Sequence, residues 1–69
     1  MKDKLETRIE RILDNESLFE EVWKVIDSYL LDDIDQSLMY YRISCLLKGN
    51  KHLTDIICWF VYDFVNEVA

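Results

Sequence analysis

Few side chains in this chain could do chemistry. One histidine, His52, and two cysteines, Cys45 and Cys58, are the only candidates for soft-metal ligation or a thiol nucleophile. Three such residues cannot complete a tetrahedral zinc site within one chain. A Cys–His catalytic pair needs a thiol in an electropositive, partly exposed setting. Cys45 falls in an apolar row and Cys58 beside another, so both are expected to be buried and inert. Their positions about Gly49 are out of register for a disulfide. Among the acids, Asp14 with Glu16 and Asp32-Asp33 with Asp35 form two clusters. A calcium loop needs a longer set of oxygen ligands and a glycine at its sharp turn, so helix capping and solvation explain these clusters better. No glycine-rich phosphate loop, nucleophile elbow or redox motif occurs. The chain reads as a non-enzyme with no cofactor and no metal.

Recognition is the chemistry that remains, and Trp59 is its most specific sign. At about 3.6 residues per turn, Trp59 lies nearly opposite the apolar side of its helix, among Asp55, Tyr62, Asp63 and Asn66. Aromatic anchors ringed by polar groups are typical of protein interfaces. The competing reading is that another helix of the same chain covers the indole. Tyr40 beside Met39 can extend an adaptable apolar surface, although Met39 itself reads as core. Phe19 and Trp23 sit at the margin of an apolar arc and also read as core, as do Tyr29 and Tyr41, whose hydroxyls can reach the surface while their rings pack. Arg42, which interrupts an apolar surface, is expected to form an ion pair at the bundle edge or to cover apolar surface with its stem.

Charge narrows the class of partner. Residues 1–13 carry Lys2, Lys4, Arg8 and Arg11 against Asp3, Glu6 and Glu10, a balance of +1. The rest carries eleven acids against Lys24, Arg42, Lys48 and Lys51, or −7, giving −6 for the whole. Nucleic-acid binding draws affinity from neutralised phosphates, and no basic stripe is present, so direct nucleic-acid binding is not expected. An anionic membrane surface is disfavoured for the same reason. Glu20, Glu21, Asp27, Asp32 and Asp33 instead suit another protein with a basic surface, because complementary charge steers encounter. Between Asp14 and Asp35, eight carboxylates face the single Lys24, enough to mimic a nucleic acid at a basic groove. The plain alternative is that the charge serves solubility.

The elements that must position these residues are helices. No proline and one glycine occur in the chain, which suits helices and leaves a β-protein without turn residues. Periodicity predicts four helices, over about 2–13, 17–31, 33–48 and 51–67. The first has a narrow stripe of Leu5, Ile9, Ile12 and Leu13. Its like-charged pairs at i,i+4, Glu6 with Glu10 and Lys4 with Arg8, make it dependent on docking. Ser17-Leu18-Phe19-Glu20 fits a capping box at the start of the second helix. The third has two apolar faces, one of Ile34, Leu38, Tyr41 and Cys45, the other of Met39, Ile43, Leu46 and Leu47 with Tyr40 beside them. So small a domain need not cover both, and a second chain can supply one cover, making a homodimer the alternative architecture. Gly49 suits a left-handed stop and Asn50 a cap. The fourth helix turns Leu53, Ile56, Ile57, Phe60, Val61, Phe64, Val65 and Val68 to one side.

These elements make a single all-α domain over 1–69, a small bundle of about four short antiparallel helices. A core of this size rarely supplies more than about 3–5 kcal/mol, so association would help it. The longest apolar run, Ile56 to Tyr62, is far short of the roughly 20 residues that span a bilayer. The charged start has no apolar export segment, and the low cysteine content suits reduced thiols, so a cytoplasmic setting is expected. Small acidic proteins that occlude a basic site, such as phage or mobile-element inhibitors, immunity proteins and antitoxins, are the functional type. A self-associating scaffold module or an accessory subunit of a nucleic-acid enzyme is the alternative.

Overall fold

Four helices make up the regular structure among the described residues: α1 (Lys2–Leu13), α2 (Glu16–Leu30), α3 (Gln36–Leu46) and α4 (Lys51–Val68). The computed structural model describes residues 2–68, with side chains from 4 to 67. There is no strand among the described residues. Each helix packs on its neighbours in sequence, and α4 closes on α1. The order around the core is therefore α1, α2, α3, α4, with α2 and α4 at diagonal corners.

Each helix turns one stripe inward. Leu5, Ile9 and Leu13 come from α1, and Val22 and Ile26 from α2. Met39, Ile43 and Leu47 come from α3 and its cap, and Ile57, Cys58 and Val61 from α4. Thr54 is buried among them, its hydroxyl satisfied by donating to the Asn50 carbonyl oxygen at 2.7 Å. Phe19 and Trp23 stack with ring centroids 6.2 Å apart and lean on this core half-buried, as their marginal position on α2 implies. On α1, docking offsets the repulsion within the helix. Arg8 Nη1 lies 3.8 Å from Asp63 Oδ2, and the guanidinium sits over the Phe60 ring at 5.2 Å.

Cap chemistry moves four predicted boundaries, both ends of α2 and both ends of α3. Helix α2 starts at Glu16, because Asn15 rather than Ser17 takes the extended cap conformation and its Oδ1 accepts from the Leu18 amide at 3.0 Å. Asparagine caps as well as serine, and this choice adds a residue to the helix. Helix α3 starts at Gln36 rather than at Asp33, with Asp35 as its cap, Oδ1 accepting from the Leu38 amide at 2.8 Å. Asp32 and Asp33 instead end α2: their amides donate to the carbonyls of Tyr29 at 3.1 Å and Ser28 at 2.9 Å, with Asp32 left-handed at φ 64°. The same doubled-back closure ends α3 before Lys48, where the Lys48 and Gly49 amides donate to Cys45 and Ser44. Here Lys48 itself is left-handed at φ 56°, ahead of Gly49 at φ 77°. Asn50 caps α4 as expected, accepting from the Leu53 amide at 3.1 Å.

Of the two apolar faces of α3, Met39, Ile43 and Leu47 go to the core. Ile34 and Leu38 are left half-buried, and Tyr41 and Cys45 are exposed. The expectations that Cys45 is buried and that the Tyr41 ring packs as core are thus corrected. Helix α3 has α2 and α4 on its flanks and no helix on its outer side, so one apolar face must stay outside. A tyrosine hydroxyl tolerates that exposure better than Met39 or Ile43 would.

A lysine in the left-handed region is disfavoured by roughly 1–2 kcal/mol relative to a residue without Cβ, partly offset by the larger unfolded-state freedom of glycine. Lys48→Gly is therefore expected to be more stable than Lys48→Ala by about 1 kcal/mol in urea unfolding. Equal stabilities would contradict the left-handed turn.

Candidate protein-binding site

The roll of α4 is set by its core residues. With Thr54, Ile57 and Val61 inward, Trp59 comes about 200° round from Ile57 and points outward, 67% exposed. No other helix covers it. One turn before it lies Asp55 and one turn after it Asp63, and each carboxylate is braced by a neighbouring helix. Tyr40 on α3 donates its hydroxyl to Asp55 Oδ1 at 2.6 Å, and Arg8 on α1 approaches Asp63. The indole thus stands outermost between two carboxylates tied to opposite flanks. Tyr62 is half-buried beside them, and with Gln36, Ser37 and Tyr40 it borders a cleft of about 590 Å³.

The structure brings five of the predicted residues together, Trp59, Asp55, Asp63, Tyr62 and Tyr40. The other five lie on α2 and its terminal turn. Glu20 and Glu21 are exposed, with Glu21 Oε1 3.5 Å from Lys24 Nζ, and Asp27 is half-buried. Asp32 and Asp33 are exposed in the turn. Because α2 sits diagonally across the ring from α4, these acids face away from Trp59.

Electrostatics make the nearby groups poor nucleophiles. Donation to Asp55, then burial, pushes the Tyr40 hydroxyl up to about 12. Burial pushes the Cys58 thiol up to about 11, with the Asp55 charge adding to it. Burial also raises Tyr62. At neutral pH all three are protonated, so they offer hydrogen bonds rather than charge. Among the described residues, no group of three or more His, Cys, Asp or Glu is placed to hold a metal ion, and no helix is long and apolar enough to cross a membrane.

A second surface was only half visible in the residue pattern. A groove of about 380 Å³ runs between α2 and α3, lined by Glu21, Lys24, Val25, Tyr41, Arg42, Cys45 and Leu46. Tyr41 is 65% exposed at its edge, and Leu31 is also largely exposed. The Ile34, Leu38, Tyr41, Cys45 spacing announced an apolar face but not which face would be left outside. Arg42 has no hydrogen-bond or ion-pair partner among the described residues, against the expected ion pair; its stem instead lines the groove. Comparisons with known protein families, curated proteins and solved structures find no match.

The Tyr40 to Asp55 hydrogen bond has a measurable signature. Since folding raises the Tyr40 value from 10.0 to about 12, its contribution to stability is complete below pH 10 and is lost as pH rises towards 12. Titration of ring-labelled tyrosine by NMR is expected to show Tyr40 ionising last-shifted near 12, and Asp55→Asn moving it towards 10. A Tyr40 midpoint unmoved by that substitution would exclude the bond.

Proposed function

We propose that this protein is a non-enzymatic acidic binding module that docks on a basic site of another protein and occludes it, in the manner of small inhibitors, immunity proteins and antitoxins. The observation that carries this reading is the outward Trp59 with Asp55 and Asp63 one turn to either side. An indole face attracts a cation through its quadrupole, and flanking carboxylates strengthen that preference, so the patch suits an arginine or lysine on a partner. Bracing by Tyr40 and Arg8 limits the side-chain ordering that binding would otherwise require. The acids of α2, on the far side, contribute through the long-range field that speeds encounter with a basic protein. Short connections at 14–15, 31–35 and 47–50 favour antiparallel neighbours, an arrangement that leaves the outer face of α4 free.

A photo-crosslinking residue placed at Asn66, on the same outer side as Trp59, tests this in lysate of the source cell. Capture of a defined protein with a basic surface is expected, weakened by high salt and reduced by Trp59→Ala roughly thirtyfold in affinity, the scale of an interface hot spot. Capture indifferent to both salt and Trp59, or no capture at all, would refute the reading.

A further inference from the structure

The groove between α2 and α3 lies on a different side from Trp59 and has its own logic. Its floor and edge are apolar, formed by Val25, Leu46, Cys45 and the largely exposed Tyr41. Beyond residue 13 the chain is strongly acidic, yet the charges lining this groove are Lys24 and Arg42 against Glu21 alone. Two copies of a −6 chain repel over most of the acidic surface beyond residue 13; here the local balance is +1 and apolar surface meets apolar surface. Arg42 lacks an acidic partner in its own chain among the described residues. Glu21 is held only by an exposed contact with Lys24 at 3.5 Å, a class of pair worth little.

We propose that this groove is a two-fold homodimer interface in which Tyr41 of each copy seats in the groove of the other and Arg42 of each pairs with Glu21 of the other. A two-fold contact uses the same patch twice, so the patch must complement itself. This one supplies both the aromatic knob and the apolar hole, and both the unpaired cation and an available anion. The second copy also gives the outer face of α3 the cover that its own chain lacks. The eleven-residue α3 is about 16 Å long, which puts the interface at or below the roughly 1,200 Å² lower bound of specific stable contacts. The dimer is therefore reversible on dilution. It rests on observations separate from those at Trp59, and the Trp59 surface stays outward in both states.

Sedimentation equilibrium of the purified full chain, from about micromolar to millimolar concentration, tests the proposal. The expected mass rises from one chain to two. Tyr41→Asp is expected to weaken association by roughly thirtyfold or more without changing the helical circular dichroism. Arg42→Glu should also weaken it, and Arg42→Glu with Glu21→Arg should restore it, a rescue that general misfolding cannot mimic. Trp59→Asp should leave it unchanged. A chain that stays monomeric throughout would overturn the proposal, as would an assembly dissolved by Trp59→Asp but not by Tyr41→Asp; the first result would leave the groove to a different protein.

Discussion

A closed ring of four short helices has room for one inward stripe from each, and the rest of the molecule follows from that limit. Ile9, Val22, Ile26, Met39, Ile43, Ile57 and Val61 are fully buried at the centre, with Leu5, Leu13, Leu47, Thr54 and Cys58 around them. Any further apolar side chain must lie between neighbouring helices or outside. Removing one of these centre residues would open a cavity costing about 2–5 kcal/mol, comparable to everything a core this small supplies. The roll of every helix is thereby fixed, and with it the identity of what faces outward: Trp59 from α4, Tyr41 and Cys45 from α3, and the acids of α2.

Polar contacts act second, by fixing how the helices meet at their edges. Tyr40 ties α3 to α4 through Asp55, and Arg8 ties α1 to α4 through Asp63 and the Phe60 ring. Both contacts are exposed, so each adds little net stability. Their consequence is geometric: they hold the two carboxylates on either side of Trp59. The residues that stabilise the edges of α4 are therefore the same ones that shape its outer surface.

Much of this was legible in the residues. Helices α1, α2 and α4 fall within a residue of their predicted limits because one apolar side dominates each, and Trp59 faces outward as counting round the helix implies. The boundaries of α3, and the choice of cap residue for α2, were harder to read. Asn15 and Ser17 both make good caps, and so do Asp33 and Asp35; what decides between them is which residue turns the chain. The left-handed turns at Asp14 and Asp32 use no glycine, so the usual mark of a helix stop is absent there, while at the end of α3 Lys48 is already left-handed one residue before Gly49. The two faces of α3 are nearly balanced in hydrophobicity, and only the ring geometry selects Met39, Ile43 and Leu47. That balance also hid the exposure of Cys45 and the missing ion pair of Arg42. Nor does one-dimensional spacing tell that the acids of α2 and those flanking Trp59 would lie at opposite corners.

The central claim is that the outer face of α4 presents an uncovered indole. Fluorescence quenching tests it directly in a Trp23→Phe background, which leaves Trp59 as the sole tryptophan. The expected result is a red-shifted emission resembling that of indole in water, with acrylamide quenching close to that of a free tryptophan derivative. A blue-shifted emission protected from acrylamide in dilute, monomeric protein would show that the chain covers Trp59 itself, and would contradict the claim.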